Sequence, residues 1–221
     1  MSNIGFRIYP APSKPAASLI DGFKTMVTPH ISDSMNRLCG VVGLKRYSTS
    51  GKLVGVAFTV KTAAGDNLMI HKALDLAAPG DVLLVDGGGA ANNALVGELM
   101  ASYAQKRGIA GFVIDGAIRD VAEIRERDFP VYARGVTHRG PYKDGPGEIN
   151  VSIAVGGMVV NPGDIVVGDQ DGLLAIPQDG IEALIDQARG VLEAEAETMR
   201  AMKEGRWNRA FIDALEARCN N

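Results

Sequence analysis

The stretch Pro79-Gly80-Asp81-Val82-Leu83-Leu84-Val85-Asp86 decides the reading of the fold. Pro-Gly makes a tight turn in which glycine supplies a positive φ, and an apolar strand follows at once. The chain then runs through Gly87-Gly88-Gly89-Ala90-Ala91-Asn92 into helical spacing at about Gly97 to Arg107. Strand and helix patterns alternate outward from here. Strands are expected at Leu53 to Val60, Asp81 to Asp86, Ile109 to Asp115, Val131 to Arg134, Val151 to Val155, Gly157 to Val160, Asp164 to Val167 and Leu173 to Ile176. Helices are expected at Ala16 to Met26, Ile31 to Leu38, Asn67 to Ala77, Val121 to Asp128 and Ile181 to about Lys203. Such alternation predicts an α/β or α+β domain. A second segment, Pro162-Gly163-Asp164-Ile165-Val166-Val167-Gly168-Asp169, repeats the opening pattern. A duplication would explain it, and so would one turn chemistry launching two unrelated strands, which is the simpler reading.

The chain has 221 residues, 46% of them apolar, enough for one continuous core, and we read 1–221 as a single domain. No window holds the roughly 18 uninterrupted apolar residues of a membrane span, and the N-terminus lacks a secretory signal pattern, so a cytoplasmic protein is expected. Cys39 and Cys219 are too few and too far apart for a disulfide framework or a zinc site and read as buried or idle thiols. A net charge of -3 offers no global attraction for nucleic acid. The 27 glycines stand well above the usual share of about 7%. They imply many tight turns and close backbone approaches.

Several chemistries are excluded by pattern. The Gly87-Gly88-Gly89 turn lacks the third small residue, the immediate helix and the acidic ribose partner of a dinucleotide site. His30, His71 and His138 show no metal-ligand spacing, and His71, inside a helical run, reads as a partly buried structural residue. No Gly-x-Ser-x-Gly turn is present. The Gly- and Pro-rich run Gly135 to Gly147 reads as a long loop, either a substrate lid with His138, Arg139 and Lys143 as anion contacts or a surface or subunit-contact loop.

What remains is Gly97-Glu98-Leu99-Met100 and, after twenty residues from Glu98, Arg119-Asp120. A helix opening near Gly97 leaves N–H groups at Leu99 and Met100 free to hold a carboxylate or phosphate. Arg119-Asp120 follows an expected strand end, where α/β proteins place ligands. Asp suits a hard cation such as Mg²⁺, and Arg suits a keto acid or an oxyanion. Asp120 with Glu123 also fits a capping box, in which Asp120 caps its own helix and Arg119 is a surface charge. Glu193, Glu195 and Glu197 mark a solvated C-terminal helix or one that carries an acid into a neighbouring subunit.

The segment Pro79 to Met100, the run Asp115-Gly-Ala-Ile-Arg-Asp120 and the run Asn161 to Gly172 together resemble the regulator of ribonuclease E activity A family. That family includes the class II 4-hydroxy-4-methyl-2-oxoglutarate and 4-carboxy-4-hydroxy-2-oxoadipate aldolases. The resemblance runs from about Ile31 to Pro177, and more loosely to Gly205. It implies an α/β/β/α sandwich of the swivelling-domain type, assembled as a homotrimer or a pair of trimers, with residues from about 181 to 221 packing on a neighbouring subunit. It further implies Asp120 as ligand of Mg²⁺ or Mn²⁺, Arg119 on the substrate's keto and carboxylate oxygens, and Gly97, Glu98, Leu99 and Met100 as backbone donors to its carboxylate. Glu195 falls where the family has an acid that reaches a neighbour's metal-bound water, and Glu98 stands where the characterised aldolases carry Asp, which implies a catalytic side chain that meets the metal through water; Glu keeps that charge and adds a methylene.

The implied activity is cleavage of a 4-hydroxy-2-oxo acid to pyruvate, with the metal and Arg119 steadying the enolate and oxaloacetate decarboxylation as a side activity. The family also contains non-catalytic regulators that bind a ribonuclease. The acid at Asp120, which we do not associate with those regulators, favours the enzyme.

Overall fold

The computed structural model describes residues 3–49 and 51–212. Its elements, in chain order, are α1 (Ala17–Gly22), a 3₁₀ turn (Phe23–Thr25), α2 (Thr28–Ser34), β1 (Lys45–Arg46), β2 (Leu53–Thr62), α3 (Leu68–Leu76), β3 (Asp81–Asp86), β4 (Ala94–Val96) and α4 (Glu98–Lys106). There follow β5 (Gly111–Ile118), α5 (Val121–Glu126), β6 (Val131–Val136), β7 (Gly147–Ile149), β8 (Ile153–Val155), β9 (Met158–Val160), β10 (Ile165–Gly168), β11 (Leu173–Ile176) and α6 (Ile181–Lys203). The fold is α/β, as expected.

One mixed sheet runs β1-β6-β5-β3-β2-β10-β11, with β4 added beside β5 and β7 beside β2. Its central strands β2, β3, β5 and β6 are parallel neighbours. Alternate residues of these strands enter different cores, as the period of two requires. Phe58, Val60, Leu83, Val85, Phe112 and Ile114 pack under α3, α4 and α5, while Leu53, Ala57, Val82, Leu84 and Val113 pack against the β8–β9 hairpin. A third cluster joins β10 and β11 to Phe23, Ile31, Ile181, Ile185 and Ala188 of the first and last helical segments. The first half of α6 therefore packs on its own chain, while residues 213–221, with Cys219, lie outside the described residues. Cys39 is a free, exposed thiol rather than a buried one.

The two Pro-Gly-Asp turns share one device. Asp81 accepts the N–H of Ala78 at 2.7 Å and Asp164 that of Asn161 at 2.8 Å, with Gly80 and Gly163 at φ of 83° and 92°. The strands they launch flank β2 on opposite sides, β3 parallel and β10 antiparallel. A common turn chemistry launching two differently directed strands accounts for the likeness.

Candidate active site

Two strand-to-helix connections lie side by side, one from β4 through Gly97 into α4 and one from β5 through Arg119-Asp120 into α5. β4 and β5 are parallel partners, and the Arg119 N–H donates to the Val96 carbonyl at 3.1 Å, so both helices open at the same edge. Asp120 occupies the N-cap position of α5 in the left-handed region, with φ 57° and ψ 45°, and its side chain caps nothing there. The capping-box expectation is thereby corrected. The left-handed backbone turns the carboxylate toward the neighbouring helix, where Oδ2 accepts the Glu98 N–H at 3.0 Å.

Asp120 thus caps α4 across the chain. Of the α4 first-turn N–H groups, that of Glu98 is engaged and those of Leu99 and Met100 have no carbonyl four residues back to bond. Gly97 makes this close approach feasible, since a Cβ there would lie 2.4 Å from Asp120 Oδ2 and 3.0 Å from Arg119 Cγ. Arg119 Nε sits 3.6 Å from the same oxygen, and the two side chains stay 43% and 38% exposed.

Gly97, Leu99, Met100, Arg119 and Asp120 line one cavity of about 130 Å³. Asn67, His71, Pro141 and Lys143 line it as well. The loop that carries Pro141 and Lys143 is fixed by its own chain. Buried Asp66 accepts the N–H groups of Asp144 at 2.6 Å and Gly145 at 2.9 Å, and the Tyr142 N–H and carbonyl pair with Gly65 and Asn67. Of the loop cations expected to touch an anion, only Lys143 lines the cavity. His71 is exposed on the cavity wall rather than partly buried in the core, and partial desolvation followed by the Lys143 charge lowers its pKa below the ordinary histidine value. A small anion in the cavity would meet two cations of its lining, Arg119 and Lys143.

The Glu98 side chain faces elsewhere: its Oε1 accepts from Arg127 Nη2 at 2.7 Å, and it does not line the cavity. Glu195 is also apart from it, paired with His30 between α6 and α2. Sequence reasoning passed over Asn67 and took His71 for a structural residue. The signals available were an Asn at a helix start and a His one turn further on.

The sequence profile described as RraA-like, Aldolase/RraA, matches residues 28–175. The chain belongs to the Aldolase/RraA family. A family member from Halalkalibacterium halodurans, named "Putative 4-hydroxy-4-methyl-2-oxoglutarate aldolase", is 39% identical over 178 residues, covering 80% of this chain and 85% of that protein. Among solved structures, Streptomyces coelicolor RraAS2, described as an unusual member of the RNase ES inhibitor RraA family, is similar with a TM-score of 0.78 at 26% identity, over 85% of this chain and 98% of the other. The RNA-processing inhibitor RraA of Thermus thermophilus is similar with a TM-score of 0.64 at 34% identity, over 68% of this chain and 92% of the other. The Aldolase/RraA region takes in every residue that lines the cavity and stops before α6, so Glu195 lies outside it.

Proposed function

We propose that this protein is a divalent-metal-dependent pyruvate aldolase. It would cleave 4-hydroxy-2-oxo acids of the 4-hydroxy-4-methyl-2-oxoglutarate and 4-carboxy-4-hydroxy-2-oxoadipate kind to pyruvate and a second oxo acid, with oxaloacetate decarboxylation as a side activity. The observation that supports it most is the Asp120 carboxylate held at the start of α4, beside Arg119, at the wall of a small cavity.

The donor set fits a hard cation held in part by its substrate. Asp120 spends Oδ2 on the Glu98 N–H, and its Oδ1 has no partner among the described residues. Those residues contain no group of three or more His, Cys, Asp or Glu side chains able to cage a metal. Mg²⁺ and similar ions commonly take one or two carboxylates and complete their shell with water and substrate oxygens. A divalent ion on Asp120 would supply Lewis-acid stabilisation of charge on the substrate's C2 oxygen.

The chain's own groups account for the remainder. The Leu99 and Met100 N–H groups, at the positive end of α4, receive the C1 carboxylate. Once the C4 hydroxyl proton is lost, the C3–C4 bond breaks, its electron pair moves to the C2 oxygen, and Arg119 donates hydrogen bonds to that enolate. Preorganised donors of this kind contribute about 3 kcal/mol to a transition state. Protonation at C3 then gives pyruvate. Glu195 enters this scheme only from a second copy, as a carboxylate that would reach the water which takes the hydroxyl proton, which is why a homotrimer or a pair of trimers is part of the proposal. A cytoplasmic setting belongs to it too; no described helix is long and apolar enough to cross a membrane.

Pyruvate release coupled to lactate dehydrogenase tests the reading. Turnover of 4-hydroxy-4-methyl-2-oxoglutarate or oxaloacetate with Mg²⁺ or Mn²⁺, abolished by EDTA, is expected. The names of the RraA structures favour a second reading, a non-catalytic protein that binds a ribonuclease. That reading predicts no metal-dependent turnover and a ribonuclease complex that forms in EDTA.

A further inference from the structure

Asn67 starts α3 and lines the cavity, yet its side chain does not serve the helix. An Asn at this position ordinarily turns its carbonyl oxygen back onto an N–H of the first turn. Here the Leu68 N–H is taken by Asp66 Oδ1 at 2.9 Å, and Asn67 makes no capping bond. Its Nδ2 instead donates to the Leu95 carbonyl at 2.9 Å, with Met100 Sδ at 3.5 Å. Because Leu95 presents a carbonyl, the amide orientation is fixed and Oδ1 is the free end. That oxygen is buried without a hydrogen-bond partner in a residue only 2% exposed.

Among the charged and amide side chains lining the cavity, Arg119 and Lys143 can only donate, and Asp120 is assigned to the metal. Neutral His71 offers one acceptor nitrogen beside its N–H, whereas Asn67 Oδ1 accepts only and has no partner. A buried amide oxygen without a donor is costly, and carboxylate and ketone oxygens cannot satisfy it, whereas a hydroxyl can. We propose that Asn67 Oδ1 accepts a hydrogen bond from a hydroxyl group of the bound ligand and makes the site selective for hydroxylated 2-oxo acids over their deoxy counterparts. The proposal rests on the aldolase reading, in which that group is the C4 hydroxyl. Cleavage removes the same proton, so the contact belongs to the docked substrate and its loss reads more in KM than in kcat.

The test compares 4-hydroxy-4-methyl-2-oxoglutarate with 4,4-dimethyl-2-oxoglutarate, in which a methyl group replaces the hydroxyl. KM for the first and the competitive inhibition constant for the second are measured on the Mg²⁺-loaded wild-type protein and on Asn67→Ala. The wild type is expected to favour the hydroxylated ligand by at least about tenfold, and Asn67→Ala to reduce that preference to about threefold or less. Equal affinity of the wild type for both ligands overturns the proposal without requiring any variant to fold. Equal weakening of both ligands in Asn67→Ala also overturns it, because the residue then only holds Leu95 in place. Absence of pyruvate from the wild type overturns the aldolase reading itself, and this proposal with it.

Discussion

The Asp120 carboxylate accepts the backbone N–H of Glu98 at 3.0 Å, so the acid at the end of one strand caps the helix that follows its neighbour. With the Arg119 N–H on the Val96 carbonyl, this bond ties the two strand-to-helix connections together. It leaves one carboxylate oxygen for a cation and the next two N–H groups of α4 for a carboxylate.

The bond separates stability from activity at Asp120. Asn keeps an acceptor and tolerates the left-handed backbone at φ 57°, whereas Ala loses the cap, worth about 1 kcal/mol, and strains the backbone by about 1–2 kcal/mol. Asp120→Asn is therefore expected to melt close to the wild type while losing at least about a hundredfold in kcat/KM, and Asp120→Ala to lose both. Urea unfolding beside the pyruvate assay checks this.

Gly97 is held to glycine by space. The added methyl of Gly97→Ala meets Asp120 Oδ2 and Arg119 Cγ, and overpacking of this kind costs about 1–3 kcal/mol. Relief requires Asp120 to withdraw from the Glu98 N–H, so activity is expected to fall further than stability. Affinity for Mn²⁺, read by titration calorimetry, should weaken as well.

Glu98 tests whether charge at this position acts in the cavity or outside it. Its carboxylate lies on Arg127, and an ion pair this exposed is worth about 0.2–1 kcal/mol. Glu98→Gln is expected to keep kcat/KM within about threefold of wild type, because the backbone N–H that Asp120 uses is unchanged. A loss above about a hundredfold would place the carboxylate in the reaction.

Acid stability should depend on the N-terminal segment. Glu148 accepts from Arg7 Nε at 2.5 Å, Arg7 Nη2 at 2.7 Å and the Gly5 N–H at 2.8 Å. The Arg7 hydrogen bonds, then the Gly5 N–H, push its carboxyl down to about 2 from 4.5. A depressed carboxyl stabilises the fold above its unfolded value and loses that contribution as pH falls through its folded value. Melting temperature should therefore drop between about pH 4.5 and 2 in the wild type, and less steeply across that window in Glu148→Gln.

The parts of this fold that were legible in the sequence are those carried by local pattern. The Asp81 to Asp86 strand and the Ile181 to Lys203 helix fall where the residues put them, because an apolar run after Pro-Gly and a long 3.6-residue periodicity need no tertiary help. The two-residue β1 and three-residue β4 and β7 carry no pattern of their own and form only by pairing with strands already in place. The helix expected at Ile31 to Leu38 runs Thr28–Ser34 instead, opened by Pro29 in its first turn and followed by left-handed Asn36 and Arg37.

The site divides along the same line. Gly97, Arg119 and Asp120 were legible from spacing, but the direction of the Asp120 side chain was not, because a left-handed N-cap is a property of the assembled turn. Asn67 and His71 reach the cavity only once the Lys143 loop folds back over α3. Nothing within eight residues of either announces that loop.

The central claim is that Asp120 and a divalent ion together break a carbon–carbon bond. Its most direct measurement is the rate of pyruvate formation from 4-hydroxy-4-methyl-2-oxoglutarate by wild-type and Asp120→Asn protein, each with Mg²⁺ and each with EDTA. The account predicts pyruvate from the wild type with Mg²⁺ alone, and none above background in the other three. Equal rates from the two proteins, or a wild-type rate that survives EDTA, would contradict it.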